Sequence, residues 1–370
     1  MTAACGAPQG MSEDEGEASS TGDDLCELPS TSADYSTESI ALINHTGGPI
    51  CRGTLELLDA EAERLAALMG LPLPSPLLLE YGIEAVHEVC DVNESIDEGG
   101  CVRGTGCDVR VATSFSPQVH ELVHAVRFRN GVAGPSVLEE GLAVYLGDGR
   151  PFHAATIGVS HLPRQSIFDL MELSSDELGQ DRYAYGAHFM AYLVDEYGLD
   201  PVMRALTAPT YPGDLAALFE THLGSSLSAV DERWQSEAWN EAYFTSPPCE
   251  NTVRLDQPFD LHERLDCDEP QTQGHFGRSL VSTASGTCLV LESPTPVTLS
   301  VEGGPGEVNL LGFDCEAVED DELMMFDGAR VQPGAELEVL LAPCTYSLNL
   351  STDWTTDSRT LTFRATPDAS

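Results

Sequence analysis

Residues 116–131 read "SPQVHELVHAVRFRNG" and set two histidines four positions apart, with a glutamate directly after the first. Ser116 before Pro117 is a helix start, because the N–H that proline lacks would go unpaired in a first turn anyway. Asn130 and Gly131 supply the stop, since glycine accepts the left-handed conformation that closes a helix. Between them residues i and i+4 lie one above the other, so His120 and His124 point the same way and can share one metal ion. Glu121 is turned about 100° from His120. It can therefore reach a water at the metal without occupying a ligand position. This is the H-E-x-x-H arrangement, in which two imidazoles hold zinc and the carboxylate is the general base. The competing expectation is a pair of exposed histidines on a solvated helix face.

Two imidazoles leave a zinc site one protein ligand short, with the fourth position reserved for water. The next predicted helix, "PSVLEEGLAVYLG" at residues 135–147, carries two adjacent glutamates. Ser136 is its expected N-cap, and Glu139 falls at the capping-box position three residues on. Glu140 points about 100° away from Glu139 and is assigned as the third ligand.

"HELVH" followed by "EGLAVYL" resembles the gluzincin metallopeptidases, and within them the peptidase MA-like group, over about residues 38–246. The resemblance implies a zincin-like domain with a small N-terminal sheet plus helices, one zinc ion, and hydrolysis of peptide bonds in a peptide or protein substrate. It also implies a tyrosine donating to the oxyanion from the later helix "YAYGAHFMAYLVDEYG", residues 183–198. Tyr183 matches by its spacing to Phe189 and Tyr192, and Tyr185 is the reserve; the plainer expectation is that both are half-buried packing aromatics. His188 on the same helix is read as a packing or pocket residue. The G-A-M-E-N element of the aminopeptidase branch is absent, so an endopeptidase is expected.

The 370 residues divide by pattern into three regions: an acidic Ser/Gly/Thr-rich tether at 1–37, the α+β region at 38–246, and an all-β region at 247–370 expected to form a sandwich-like accessory domain. "SIALIN", "PLLLEYG" and "DVRVATS" read as strands, and "TLELLDAEAERLAALMG" as a helix burying Leu58, Ala62, Leu65 and Met69 before Gly70 stops it. Asp200 with Pro201 reads as a cap and first turn. Lys+Arg 17 against Asp+Glu 61 gives a net charge of −44, which repels phosphate backbones and anionic lipid, so no nucleic-acid partner is expected. "TAACG" at residues 2–6 resembles the end of a bacterial lipoprotein signal, with lipid attached at Cys5; the plain alternative is a free thiol. Membrane contact is expected only through that anchor, with the protein extracytoplasmic, either anchored to the cell envelope or secreted.

Setting Cys5 aside leaves an even set of cysteines without C-x-x-C spacing, the pattern of disulfides in an oxidising compartment. Cys101 and Cys107 are expected to staple a local loop. His45, His87, His153, His161, His222, His262 and His275 lack paired spacing and read as surface or packing residues. The runs "SEDEGE" and "EAVEDDE" lack calcium-loop ordering and read as solvated acidic surface. A second function stands beside the peptidase: a surface-tethered, zinc-containing binding lipoprotein that does not turn over.

Overall fold

The computed structural model describes residues 33–90, 99–114, 119–148, 165–174, 177–178, 180–237, 251–270, 272–276, 279–293, 295–304, 307–313, 328–341, 343, 345–353 and 359–367. The expected tether with Cys5, the Ser116–Pro117 start signal, His153, His161 and both acidic runs lie wholly or almost wholly outside these residues. The fold is mixed α+β. Contacts divide the chain into two compact units, Met1–Gly47 with Leu57–Phe244, and Gly48–Glu56 with Thr245–Ser370. The short segment Gly48–Glu56, which the pattern reading grouped with the first region, thus packs with the second.

The first unit is built on a five-stranded sheet of β1 (Tyr35–Ser36), β2 (Ile40–Asn44), β3 (Leu77–Tyr81), β4 (Gly100–Arg103) and β5 (Arg110–Thr113), in the order β1-β2-β3-β5-β4. β2, β3 and β5 run parallel, with antiparallel partners at both edges. All five residues of β3 are buried; Leu77, Leu78, Leu79 and Tyr81 pack as the middle of a parallel pairing should, and the buried Glu80 accepts from Arg110 Nε at 2.6 Å and lies 3.3 Å from His45 Nε2. α1 (Arg52–Met69) leads from β2 to β3, and its predicted stripe of Leu58, Ala62, Leu65 and Met69 is buried. Gly70 ends it with φ of 64°.

α2 (Ile83–Cys90) ends beside β4, and there the expected cysteine pairing is overturned: Cys101 bonds Cys90, not Cys107. The reason is geometric. β4 ends at Arg103, and the chain turns into the 3₁₀ segment Gly106–Asp108, which carries Cys107 off the strand, while the end of α2 lies against it. Cys51 bonds Cys267, and Cys107 and Cys288 each take part in a further disulfide. These disulfides suit an oxidising, extracytoplasmic compartment. Among the described residues no helix is long and apolar enough to cross a membrane.

Among the described residues the first unit continues with helices: α3 (Val119–Arg129), α4 (Ser136–Ala143) running into a π-helical turn Val144–Asp148, α5 (Ile167–Met171), α6 (Gln180–Tyr197), α7 (Leu199–Leu206), α8 (Leu215–Leu223) and α9 (Leu227–Ser236). Side-chain caps start α5, α8 and α9 at Ser166, Asp214 and Ser226. α7 starts otherwise than its sequence suggests. Gly198, at φ of 83°, occupies the cap position, and Asp200 already lies inside the first turn.

Described residues of the second unit from Asn251 onward form the strands β6 (Asn251–Arg254), β7 (Phe259–Leu265), β8 (Thr272–Phe276), β9 (Ser279–Val290), β10 (Thr295–Gly303), β11 (Glu307–Phe313), β12 (Gly328–Val331), β13 (Glu336–Leu341), β14 (Thr345–Asp353) and β15 (Arg359–Pro367). A four-stranded sheet has the order β13-β10-β15-β7, and a six-stranded sheet has the path β12-β11-β14-β9-β6 with β8 paired to β9. Both sheets feed one core that includes Leu289, Leu299, Leu310, Leu350, Leu361 and Phe363. Its strands alternate, as in β10, where Val297, Leu299 and Val301 face inward.

Candidate metal centre

α3 is not an amphipathic surface helix. From His120 to Arg129 every residue is buried, with His120 6% and His124 0% exposed, so the reading of two histidines on a solvated face is overturned. Its end follows the sequence: Gly131 takes φ of 68°, Gly131 N–H donates to the Phe128 carbonyl, and Val132 N–H donates to the Arg127 carbonyl. These two bonds are the pair that closes a helix through a left-handed glycine.

His120 Nε2 and His124 Nε2 stand 3.3 Å apart. Glu140 Oε2, from α4, stands 3.0 Å from the first and 3.3 Å from the second. Ligands placed tetrahedrally around an ion at about 2.0–2.1 Å lie about 3.3–3.4 Å from one another, so the three atoms are spaced as three corners of such a site. Glu140 is 1% exposed. Burial alone would raise its carboxyl, but the His124 and His120 imidazoles outweigh burial and hold it down to about 2. The Glu140 carboxylate is therefore held in its ionised form, with both imidazole nitrogens directed at it. His120, His124 and Glu140 form a group that can hold a metal ion.

Glu121 is buried on α3 beside this group. Tyr183, on α6, stacks over His120 with ring centroids 6.3 Å apart and planes 18° apart. Tyr185 is equally buried. Both tyrosines are more deeply buried than the half-buried aromatics of the plainer expectation. His188 is tied elsewhere, accepting at Nδ1 a hydrogen bond of 2.9 Å from Trp234 Nε1, and is outside the metal group.

Glycines bring these helices close enough. A Cβ on Gly141 of α4 would lie 2.4 Å from the Gly186 carbonyl carbon of α6, and a Cβ on Gly147 would lie 2.7 Å from the His120 nitrogen. Any larger residue at these points would push α6, or the turn after α4, away from the histidines.

The capping-box reading of Ser136 and Glu139 is overturned. Pro135 occupies the cap position, Ser136 is the first helical residue, and no side chain caps the helix. Glu139 instead accepts two hydrogen bonds from the buried Arg127 of α3, Nε to Oε2 at 2.6 Å and Nη2 to Oε1 at 2.8 Å. The Tyr211 hydroxyl donates to Oε1 at 3.1 Å, and Arg127 lies over the Tyr211 ring at 5.4 Å. Burial, followed by the Glu139 charge, pushes the Tyr211 phenol well above its usual range, so it stays a proton donor. Sequence reasoning missed Arg127 and Tyr211. The available signal was an arginine three residues after His124, in a stretch that the fold buries completely.

A small recess, of a size for about one water molecule, borders the group, lined by His124, Phe128, Ala133, Gly134, Ser136, Glu139 and Glu140.

Comparison with family models and with curated proteins found no match. Among solved structures the chain is 11% identical to PliG of Aeromonas hydrophila, a periplasmic lysozyme inhibitor of g-type lysozyme, covering 32% of this chain and 96% of that one at a TM-score of 0.20. It is 12% identical to hydroxypropylphosphonic acid epoxidase from S. wedmorenis, covering 64% and 98% at a TM-score of 0.13. Likeness at these scores carries no argument about fold or function.

Proposed function

We propose that this protein is a zinc-dependent metallopeptidase of the gluzincin type, cleaving peptide or protein substrates internally. The observation that carries the reading is the convergence of His120 Nε2, His124 Nε2 and Glu140 Oε2 within 3.0–3.3 Å of one another, next to a helix-mate carboxylate, Glu121. Two nitrogens and one carboxylate oxygen are a donor set that zinc accepts, and three protein ligands are the number that a catalytic zinc site uses.

The ion, when bound, would supply Lewis acidity and bring the pKa of a water down toward neutrality. His120, His124 and Glu140 would hold it, one atom each. Glu121 accepts a proton from the attacking water and passes it to the leaving nitrogen, so that one water and one peptide bond become a carboxylic acid and an amine. The Tyr183 hydroxyl donates to the carbonyl oxygen as negative charge gathers there. The small recess beside His124 and Glu140 has room for about one water. A zincin-like fold for the first unit, a lipid anchor at Cys5 and export from a bacterial cell belong to the same proposal.

One observation favours a second reading, a zinc-containing binding lipoprotein without turnover: His124 and Glu140 are almost wholly shielded from solvent. Metal analysis by mass spectrometry with cleavage of a mixed peptide library, on wild type and Glu121→Gln, separates the two. One zinc per chain in both, with cutting by wild type alone, supports the peptidase. Zinc in both with cutting by neither favours the binding protein, and no zinc in wild type ends both readings.

A further inference from the structure

Resting on the metal reading above, we propose that the buried Arg127–Glu139 pair, braced by Tyr211, is a positioning device that holds the Glu140 carboxylate against the two imidazoles. The problem it solves is geometric. Glu140 Oε2 bonds both imidazoles at 3.0 and 3.3 Å, but single-atom contacts to one oxygen leave the tilt and depth of α4 against α3 open. A second, two-point contact between the helices closes that freedom.

α4 is short and has no side-chain cap, so its own ends anchor it weakly. The contact that ties it to α3 lies one residue before Glu140 and three after His124. A guanidinium fork on a carboxylate fixes two distances and a plane at once, which a point charge or one hydrogen bond cannot. Arg127 makes both bonds to Glu139 and adds a third, from Nη2 to the Leu206 carbonyl at 3.1 Å, at the end of α7. The Tyr211 hydroxyl donates a second hydrogen bond to Oε1, and its ring centroid lies 5.4 Å from the guanidinium carbon. Gly134 leaves space for that hydroxyl, since a Cβ there would lie 1.9 Å from the Tyr211 oxygen. Arg127 is 1% and Glu139 4% exposed. A buried ion pair is weak evidence of stabilisation but can specify one arrangement over others, and here the arrangement specified is the ligand register.

The test uses the full chain: zinc affinity by chelator competition, with the thermal midpoint of the metal-free protein recorded in parallel. Glu139→Gln keeps the shape and removes the charge, and is expected to weaken zinc about 10–100-fold, the range typical of partners behind metal ligands. Arg127→Lys, which keeps the charge but loses the fork, is expected to fall between wild type and Glu139→Gln. Asp231→Asn is the control for stability alone, because Asp231 is a buried carboxylate that caps α5 through Ile167 N and Ser166. If Glu139→Gln does not fold, Tyr211→Phe removes only the hydroxyl, with a loss of several-fold expected. Affinity of the folded variants within twofold of wild type, or a loss no larger than that of Asp231→Asn at equal loss of midpoint, overturns the positioning role while leaving the metal reading intact. A wild-type chain that takes up no zinc overturns both.

Discussion

In the first unit His120, Glu121, His124, Arg127, Glu139, Glu140 and His188 are all buried, whereas the buried polar residues among the described part of the second are Thr54 and Thr272. The β-rich unit meets the ordinary demand of a core, apolar inward and polar outward, and its strands need nothing else to define their faces. The helical unit takes ionisable groups out of water, which costs several kcal/mol per ion unless each is paired. Two such pairings meet where α3 packs on α4, imidazole with carboxylate around Glu140 and guanidinium with carboxylate at Glu139, while buried Glu80, Arg129 and Asp231 are paired elsewhere in the unit. The contrast separates the two units, and the density of ionisable groups at the α3–α4 contact marks the candidate site.

The contrast can be broken at several points. The largest expected effect is on turnover: Glu121→Gln should lower peptide cleavage about 10²–10⁴-fold, the span of general acid–base assistance, with zinc content unchanged. Zinc lost along with activity would show that Glu121 serves the metal rather than the proton. In the β-rich unit, Phe363→Ala should destabilise that unit by about 3–5 kcal/mol in denaturant unfolding, because Phe363 is fully buried in its shared core. Zinc content should not change, and a parallel loss of zinc would deny that the site belongs to the helical unit alone.

Metal removal comes next. If zinc binds as proposed, stripping it with a chelator should cost the first unit about 4 kcal/mol at free zinc 1,000 times its dissociation constant, and leave the second unit untouched. Calorimetry that shows both units shifting together would blur the distinction. The smallest effect is at the helix crossing. Gly186→Ala puts a Cβ 2.5 Å from the Val137 carbonyl oxygen, and should cost about 1–3 kcal/mol despite the better helix propensity of alanine. It should also lower cleavage by moving Tyr183 off His120. Unchanged activity in this variant would argue against Tyr183 as the oxyanion donor.

The site was legible in unequal parts. The shared face of His120 and His124 follows from four-residue spacing alone, and the separation of Glu139 from Glu140 follows from the turn between adjacent helical residues. The two glutamates do face different partners, Glu140 the imidazoles and Glu139 Arg127. The partner of Glu139 was not legible, because the capping box is a local pattern and Arg127 lies on another helix. The depth of α3 was hidden too: two histidines, one glutamate and two arginines make it look polar, and only the elements around it bury them.

The same division holds across the chain. Spacing within a few residues is set by backbone geometry, 3.6 residues per turn in a helix and two in a strand, so the faces of α1 and β10, the stop at Gly131 and the pairing of the histidines were determined by sequence. Which elements meet is another matter. The bond from Cys101 to Cys90, the membership of Gly48–Glu56 in the second unit, the close crossing at Gly141 and Gly186, and the Arg127–Glu139 clamp were decided only by tertiary structure. Each joins parts of the chain that lie in different elements, and periodicity carries no information about how two such elements approach.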